Sequence, residues 1–240
     1  MRFLSTLTFI FASFLVKAQS DKYDELIILY ADEKYEKLIE QSEKLVGKDA
    51  NKKDAEPYFW MSKAFYKISL SGTSDPTYKN AYKSAAKSLA KGMKKDKDTS
   101  VTEYNIEYVE EFQQSLKELV VNDLLVGDYR KAGGWAQQYS KISHNEVGAE
   151  YLVAATKYRA GDKNGAKSIF SKCEKTLQSI NSIENWSEPD RVLLKAGVLQ
   201  SAECLLESKQ LNKAMDLLNS VKPWFIEDEE FNEKYIEFTN

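Results

Sequence analysis

The chain has 240 residues, 42% of them hydrophobic and 30% charged, with four prolines and ten glycines. So much apolar matter specifies a folded chain with an ample core, and so little proline and glycine argues against an all-β or disordered protein. A formal net charge of -3 supplies no global basic field for phosphates, which sets nucleic acid aside as a partner.

The first residues read as a targeting segment. Arg2 is a short basic region, residues 3–16 are apolar, and Val16-Lys17-Ala18 is a small-residue cleavage site, the pattern of a secretory signal. The competing readings are a buried helix or a membrane anchor, but the run is shorter than the ~20 residues that span a bilayer. We expect a cleaved signal at residues 1–18 and a helical repeat domain at 19–240, exported to the periplasm or secreted, in place or as part of an envelope complex. The mature chain then has no transmembrane segment. The Lys-Ala-Gln ending resembles signals of Bacteroidetes-type Gram-negative bacteria, and no cysteine stands there for lipid attachment. Removing Arg2 and Lys17 leaves 32 of the 34 basic residues against 37 acidic ones.

In the mature chain, Tyr23, Leu26, Ile27, Leu29 and Tyr30 make a helical stripe. Asp32-Glu33 turns into a second helix with Tyr35, Leu38, Ile39, Ser42 and Leu45, ended by Gly47. After a lysine- and aspartate-rich linker, Ala55-Glu56-Pro57 opens a helix carrying Tyr58, Met61, Ser62, Phe65 and Tyr66, with proline in the first turn where its missing N–H costs nothing. A long turn follows, and then a small-residue helix with Ala81, Ala85, Ala86 and Leu89. Ser100-x-x-Glu103 reads as a capping box that opens one extended or kinked helix of about 25 residues, running to Leu125. Ser143-x-x-Glu146 is a second such box, and Ser187-x-x-Asp190 with Pro189 opens a helix at 192–206. Gln210-Leu211 turns into Ala214, Leu217, Leu218 and Val221. Beyond Pro223, the residues Trp224, Phe231, Tyr235 and Phe238 share a helical face behind an acidic first turn, as a capping helix would.

At the centre the chain repeats itself. Gly127-Asp128-Tyr129-Arg130-Lys131-Ala132 returns 34 residues later as Gly161-Asp162-Lys163-Asn164-Gly165-Ala166, each after an apolar run and each followed by an aromatic, Trp135 or Phe170. Gly-Asp closes one helix and opens the next, and the small residue lets the two approach. A helix–turn–helix of this length buries its apolar face only against a stacked neighbour. The pattern resembles the tetratricopeptide repeat (TPR) family. That resemblance implies an all-α, TPR-like α-solenoid of about five helix pairs plus a C-terminal capping helix, and a function of holding another macromolecule. The outer pairs depart from the spacing, with steps of 43, 51 and 48 residues between equivalent small positions.

In that family the first helices of successive pairs line a concave groove. Transferred by position, the partner-facing side chains are Tyr23, Tyr30, Phe59, Lys63, Tyr66, Lys67, Tyr151, Tyr158 and Arg159. Rings contribute area at little entropic cost and cations reach a peptide's carboxylates, so a protein or peptide is the implied partner. The competing reading has these tyrosines packing on adjacent helices. The lysine–asparagine pattern that clamps C-terminal carboxylates is absent.

Catalytic signals are sparse. His144 sits beside a helix start with no nucleophile or carboxylate implied nearby, and there is no phosphate loop, dinucleotide fingerprint, His-Glu-x-x-His or Cys-x-x-Cys. We expect no enzyme, no cofactor and no metal. Cys173 and Cys204 read as small buried residues, with a disulfide as the alternative in an oxidising compartment. Gly133 and Gly134, inside a helix, ask for compensation: close helix contact, a kink, or backbone exposed to a partner. A glycan- or small-ligand-binding helical-repeat protein stands as the second reading, signalled by Trp135 and Trp186 exposed on one face. A helical enzyme stands third.

Overall fold

The computed structural model describes residues 23–48, 51 and 53–239; the expected signal at 1–18 lies outside them. Among the described residues every regular element is helical, so the protein is all-α. The chain divides into two compact units, Met1–Asn105 and Ile106–Asn240.

The first unit contains α1 (Asp24–Ala31), α2 (Tyr35–Gly47), α3 (Glu56–Leu70), α4 (Ala81–Lys95) and the short α5 (Ser100–Tyr104). Leu26, Leu38, Ile39, Trp60, Met61, Ala64, Ile68 and Ala81 close one core. Leu38, where the repeat pattern would have alanine, is fully buried. Helix α3 is buried along most of its length and packs on the alanine face of α4, where the Ser62 hydroxyl donates to the Ala85 carbonyl at 2.8 Å.

The second unit contains α6 (Ile106–Leu125), α7 (Tyr129–Tyr139), α8 (Val147–Arg159), α9 (Lys163–Gln178), α10 (Glu188–Glu207), α11 (Leu211–Val221) and α12 (Glu229–Thr239). Consecutive helices pack as pairs, α6 with α7, α8 with α9 and α10 with α11. Helix α10 buries half of its residues and forms the axis of this unit, touching α6, α8, α11 and α12. It meets α8 backbone to backbone: a Cβ on Gly197 would lie 2.2 Å from the Gly148 carbonyl oxygen, and one on Gly148 2.3 Å from the Leu194 nitrogen. The Ser201 hydroxyl and the Cys204 thiol donate to the α8 carbonyls of Tyr151 and Ala155 along the same seam.

The Gly-Asp junctions form as expected. Gly127 and Gly161 take positive φ, and the following N–H reaches the carbonyl five residues back, Asp128 to Asp123 at 2.8 Å and Asp162 to Lys157 at 3.0 Å. Each aspartate then caps the next helix, accepting from the N–H of Lys131 or Gly165. The same turn recurs without glycine: Glu33 and Lys209 sit at φ 58, with Lys34 bonding the Leu29 carbonyl and Gln210 that of Leu205.

Both expected capping boxes are corrected. Ser100 does not cap; Asp96 accepts from the N–H and hydroxyl of Thr102 instead. The element expected to be extended or kinked up to Leu125 is two helices, divided at Asn105, whose side-chain amide donates to the Val101 carbonyl. Ser143 also leaves its box, because its hydroxyl donates to Asp190. Ser187 does cap α10, accepting from the Asp190 N–H at 3.2 Å. The buried Asp190 carboxylate in turn accepts from Tyr139, Ser143 and Asn145, fastening the end of α7 and the loop after it to the start of α10.

Candidate functional site

The nine side chains expected to face a partner fall six in the first unit and three in the second, and three of them are core. Phe59, Tyr66 and Tyr151 are 1%, 5% and 1% exposed, which corrects their expected place on a groove. Phe59 and Tyr66 lie seven apart on α3, on the face turned to α4: Phe59 packs at Gly92, and Tyr66 meets the Tyr82 ring edge-on at 6.0 Å. Tyr151 lies between α9 and α10, against Phe170 and Gly197.

The other six are half-buried, and five of them are engaged within the fold. Tyr30 packs on Tyr35 and Trp60, and the Tyr23 hydroxyl donates to Asp54. Lys63 lies 4.6 Å over the Trp60 ring, where burial lowers its pKa against the opposing pull of Glu56. Lys67 stays half-buried on α3, and Tyr158 has Lys163 at 5.4 Å over its ring. Arg159 stacks 4.1 Å over Tyr129 and donates to Gln200 at 2.5 Å and Glu203 at 2.6 Å. A fork held by two acceptors and a ring is a structural brace.

What the second unit offers to a partner is a different surface. The end of α6, one side of α10 and α12 enclose a cleft of about 330 Å³. Its lining is mixed, apolar from Val121, Leu124, Leu125, Val192, Leu199 and Phe238 and charged from Lys195, Glu230 and Lys234. Tyr129, Gln200 and Glu203 edge it, so Arg159 reaches the rim through its two acceptors. Beside it Leu125 and Val126 are 79% and 77% exposed, a pair of large aliphatics left in water at the helix end. The run Leu124-Leu125-Val126 before Gly127 carried a signal for this, since Leu116 and Val120 already fill the core face of α6. The contributions of α10 and α12 had no local signal.

Helix α12 closes one side of the cleft as a docked element. Phe231 is fully buried against Phe225, and Tyr235 and Phe238 pack partly on the same core. Lys195 of α10 pairs with Asp228 at 2.9 Å and Glu230 at 2.6 Å. Burial works to raise the Asp228 pKa, but Lys195 and the Phe231 N–H outweigh it and hold the carboxyl below its ordinary value. Lys195 is displaced upward, its burial outweighed by the two carboxylates.

The remaining candidates resolve as structure. Cys173 and Cys204 are free buried thiols, pushed up by burial to about 12 and about 11, which makes them poor nucleophiles. Gly133 marks a close helix contact, since a Cβ there would lie 2.2 Å from the Thr156 hydroxyl oxygen, whereas Gly134 faces open space. His144 is exposed, and Trp186 packs partly on the core of the second unit. Among the described residues no helix is long and apolar enough to cross a membrane. No family model, curated protein or solved structure matches the chain.

Proposed function

We propose that the chain is an exported, TPR-like interaction module that binds a protein or peptide in the cell envelope, acting as an adaptor or assembly subunit without catalysis of its own. The observation that carries this reading is the cleft between α6, α10 and α12, with Leu125 and Val126 exposed at its mouth. Apolar surface between helices, set among charged and polar groups, suits an amphipathic segment of another chain, whose polar groups the lining residues can hydrogen-bond. Export rests on the reading of residues 1–18.

The test is affinity capture from envelope extract with the mature chain, beside a Leu125→Glu/Val126→Glu variant and a Tyr104→Glu control. All three positions are at least 77% exposed, so each substitution leaves the fold intact. A protein retained by wild type and control but lost from the double variant supports the reading. Equal retention by all three, or no captured protein, would refute it.

A further inference from the structure

Helix α4 of the first unit presents one kind of charge to water. Its residues Ala81–Lys95 include five lysines and no carboxylate. Ala81, Ala85, Leu89 and Gly92 are buried, and at about 100° per residue they share one side of the helix. Lys83, Lys87, Lys91, Lys94 and Lys95 fall on the other side, within an arc of about 120°. The first four are exposed and Lys95 is half-buried.

Lys83, Lys87, Lys91 and Lys95 follow at four-residue steps, the spacing at which like charges repel along a helix. Exposed helix faces ordinarily intersperse glutamate with lysine, as α2 does where Glu40 pairs with Lys44 at 2.6 Å. The Tyr58 ring lies beneath one end of the row, 4.7 Å from the Lys91 ammonium and 5.4 Å from that of Lys95. A ring face holds an ammonium without neutralising it. Asp96, just past the helix, is buried and engaged by Thr102. Helix α3, which packs on α4, adds Lys63 and Lys67 and a single carboxylate, Glu56. The two helices thus concentrate positive charge in a chain whose acidic residues outnumber its basic ones, 37 to 34.

The make-up of the face chooses among anionic partners. Between the lysines it presents only Ser84 and Ala90. Lysine, serine and alanine are depleted from protein–protein interfaces, and no arginine or aromatic anchor stands among them. Nucleic acid is gripped with arginine forks and exposed rings, which this arc also lacks. A bilayer with anionic headgroups needs neither, because it attracts each lysine near its plane separately. The apolar side of α4 is held in the core, so such contact is adhesion without insertion. We infer that the lysine face of α4 docks the protein on an anionic phospholipid surface, with headgroup phosphates neutralising Lys87, Lys91 and Lys94 at its centre. This face belongs to the first unit and the cleft to the second, so either assignment can fail alone.

The test is co-sedimentation of the mature chain with phosphatidylcholine vesicles and with mixed phosphatidylcholine–phosphatidylglycerol vesicles. It is repeated with Lys87→Gln/Lys91→Gln/Lys94→Gln and with Lys141→Gln/Lys167→Gln/Lys175→Gln, three exposed lysines of the second unit. We expect binding to the mixed vesicles only, about a hundredfold weaker in the α4 variant, at about fivefold per lysine. The second-unit variant should bind at parental strength. Lys87→Arg/Lys91→Arg/Lys94→Arg should also bind as the parent does, which separates lost charge from lost fold. Equal weakening in both glutamine variants would assign the effect to net charge and overturn the inference. Equal binding to both kinds of vesicle, binding to neither at low ionic strength, or loss in the arginine variant would overturn it too. Labelled poly-L-glutamate and duplex DNA are titrated alongside, and binding of either without binding to vesicles would give the face to that class and overturn it.

Discussion

Lys209 and Glu33 occupy the same left-handed turn position that Gly127 and Gly161 fill, and pay a steric cost that glycine avoids. For an L-residue that conformation costs about 1–2 kcal/mol. Lys209→Gly should therefore stabilise the chain by roughly 1 kcal/mol, and Gly161→Ala should destabilise it by a similar amount. Urea unfolding at unchanged m-value checks both. The glycines inside helices divide in the same physical way. Gly134→Ala meets open space and should gain about 0.5–1 kcal/mol of helix propensity. Gly197→Ala drives a methyl into the backbone of α8 and should cost about 1–3 kcal/mol or more, a difference thermal melts of the two variants would resolve. Gly127 and Gly161 were legible because Gly-Asp is a local cap signal. Gly148 and Gly197 were not, since their need for a missing side chain arises only when α8 and α10 cross. Phe59 and Tyr66 were misplaced for a related reason: an all-round apolar helix has no face that the sequence alone marks as outward.

At the scale of elements, capping shows where local rules yield to tertiary ones. Ser187 caps α10 as its spacing predicts, whereas Ser143 is drawn to Asp190, 47 residues away. Asp190 holds three side-chain donors from outside its own helix, so Asp190→Ala removes the carboxylate that the buried Tyr139 hydroxyl donates to. We expect a loss of about 3 kcal/mol by chemical denaturation, against about 1 kcal/mol for Ser187→Ala. Docking of α12 should depend on pH at both ends. The lowered carboxyl of Asp228 contributes stability above its unfolded pKa, lost as pH falls through the depressed folded value. The raised ammonium of Lys195 contributes below its unfolded pKa, lost as pH rises through the elevated one. Hydrogen exchange at the α12 amides, corrected for intrinsic rates, should show protection that is flat across neutral pH. Protection should fall below the ordinary carboxylate range ahead of that in α10.

At the scale of the whole molecule, the all-α class and the succession of helix pairs were legible because apolar periodicity and Gly-Asp turns act within one or two helices. The cleft was not. Its wall joins Leu125, Leu199 and Phe238, which are far apart in the chain and meet only after α12 docks on α10. The same long-range assembly makes the cleft the central claim about function. The most direct test is hydrogen exchange of the chain alone and with the partner recovered by affinity capture. The account predicts new protection at residues 121–126, 192–203 and 230–238, with none in the first unit. Protection confined to α1–α4, or to α9 and α11, would contradict it.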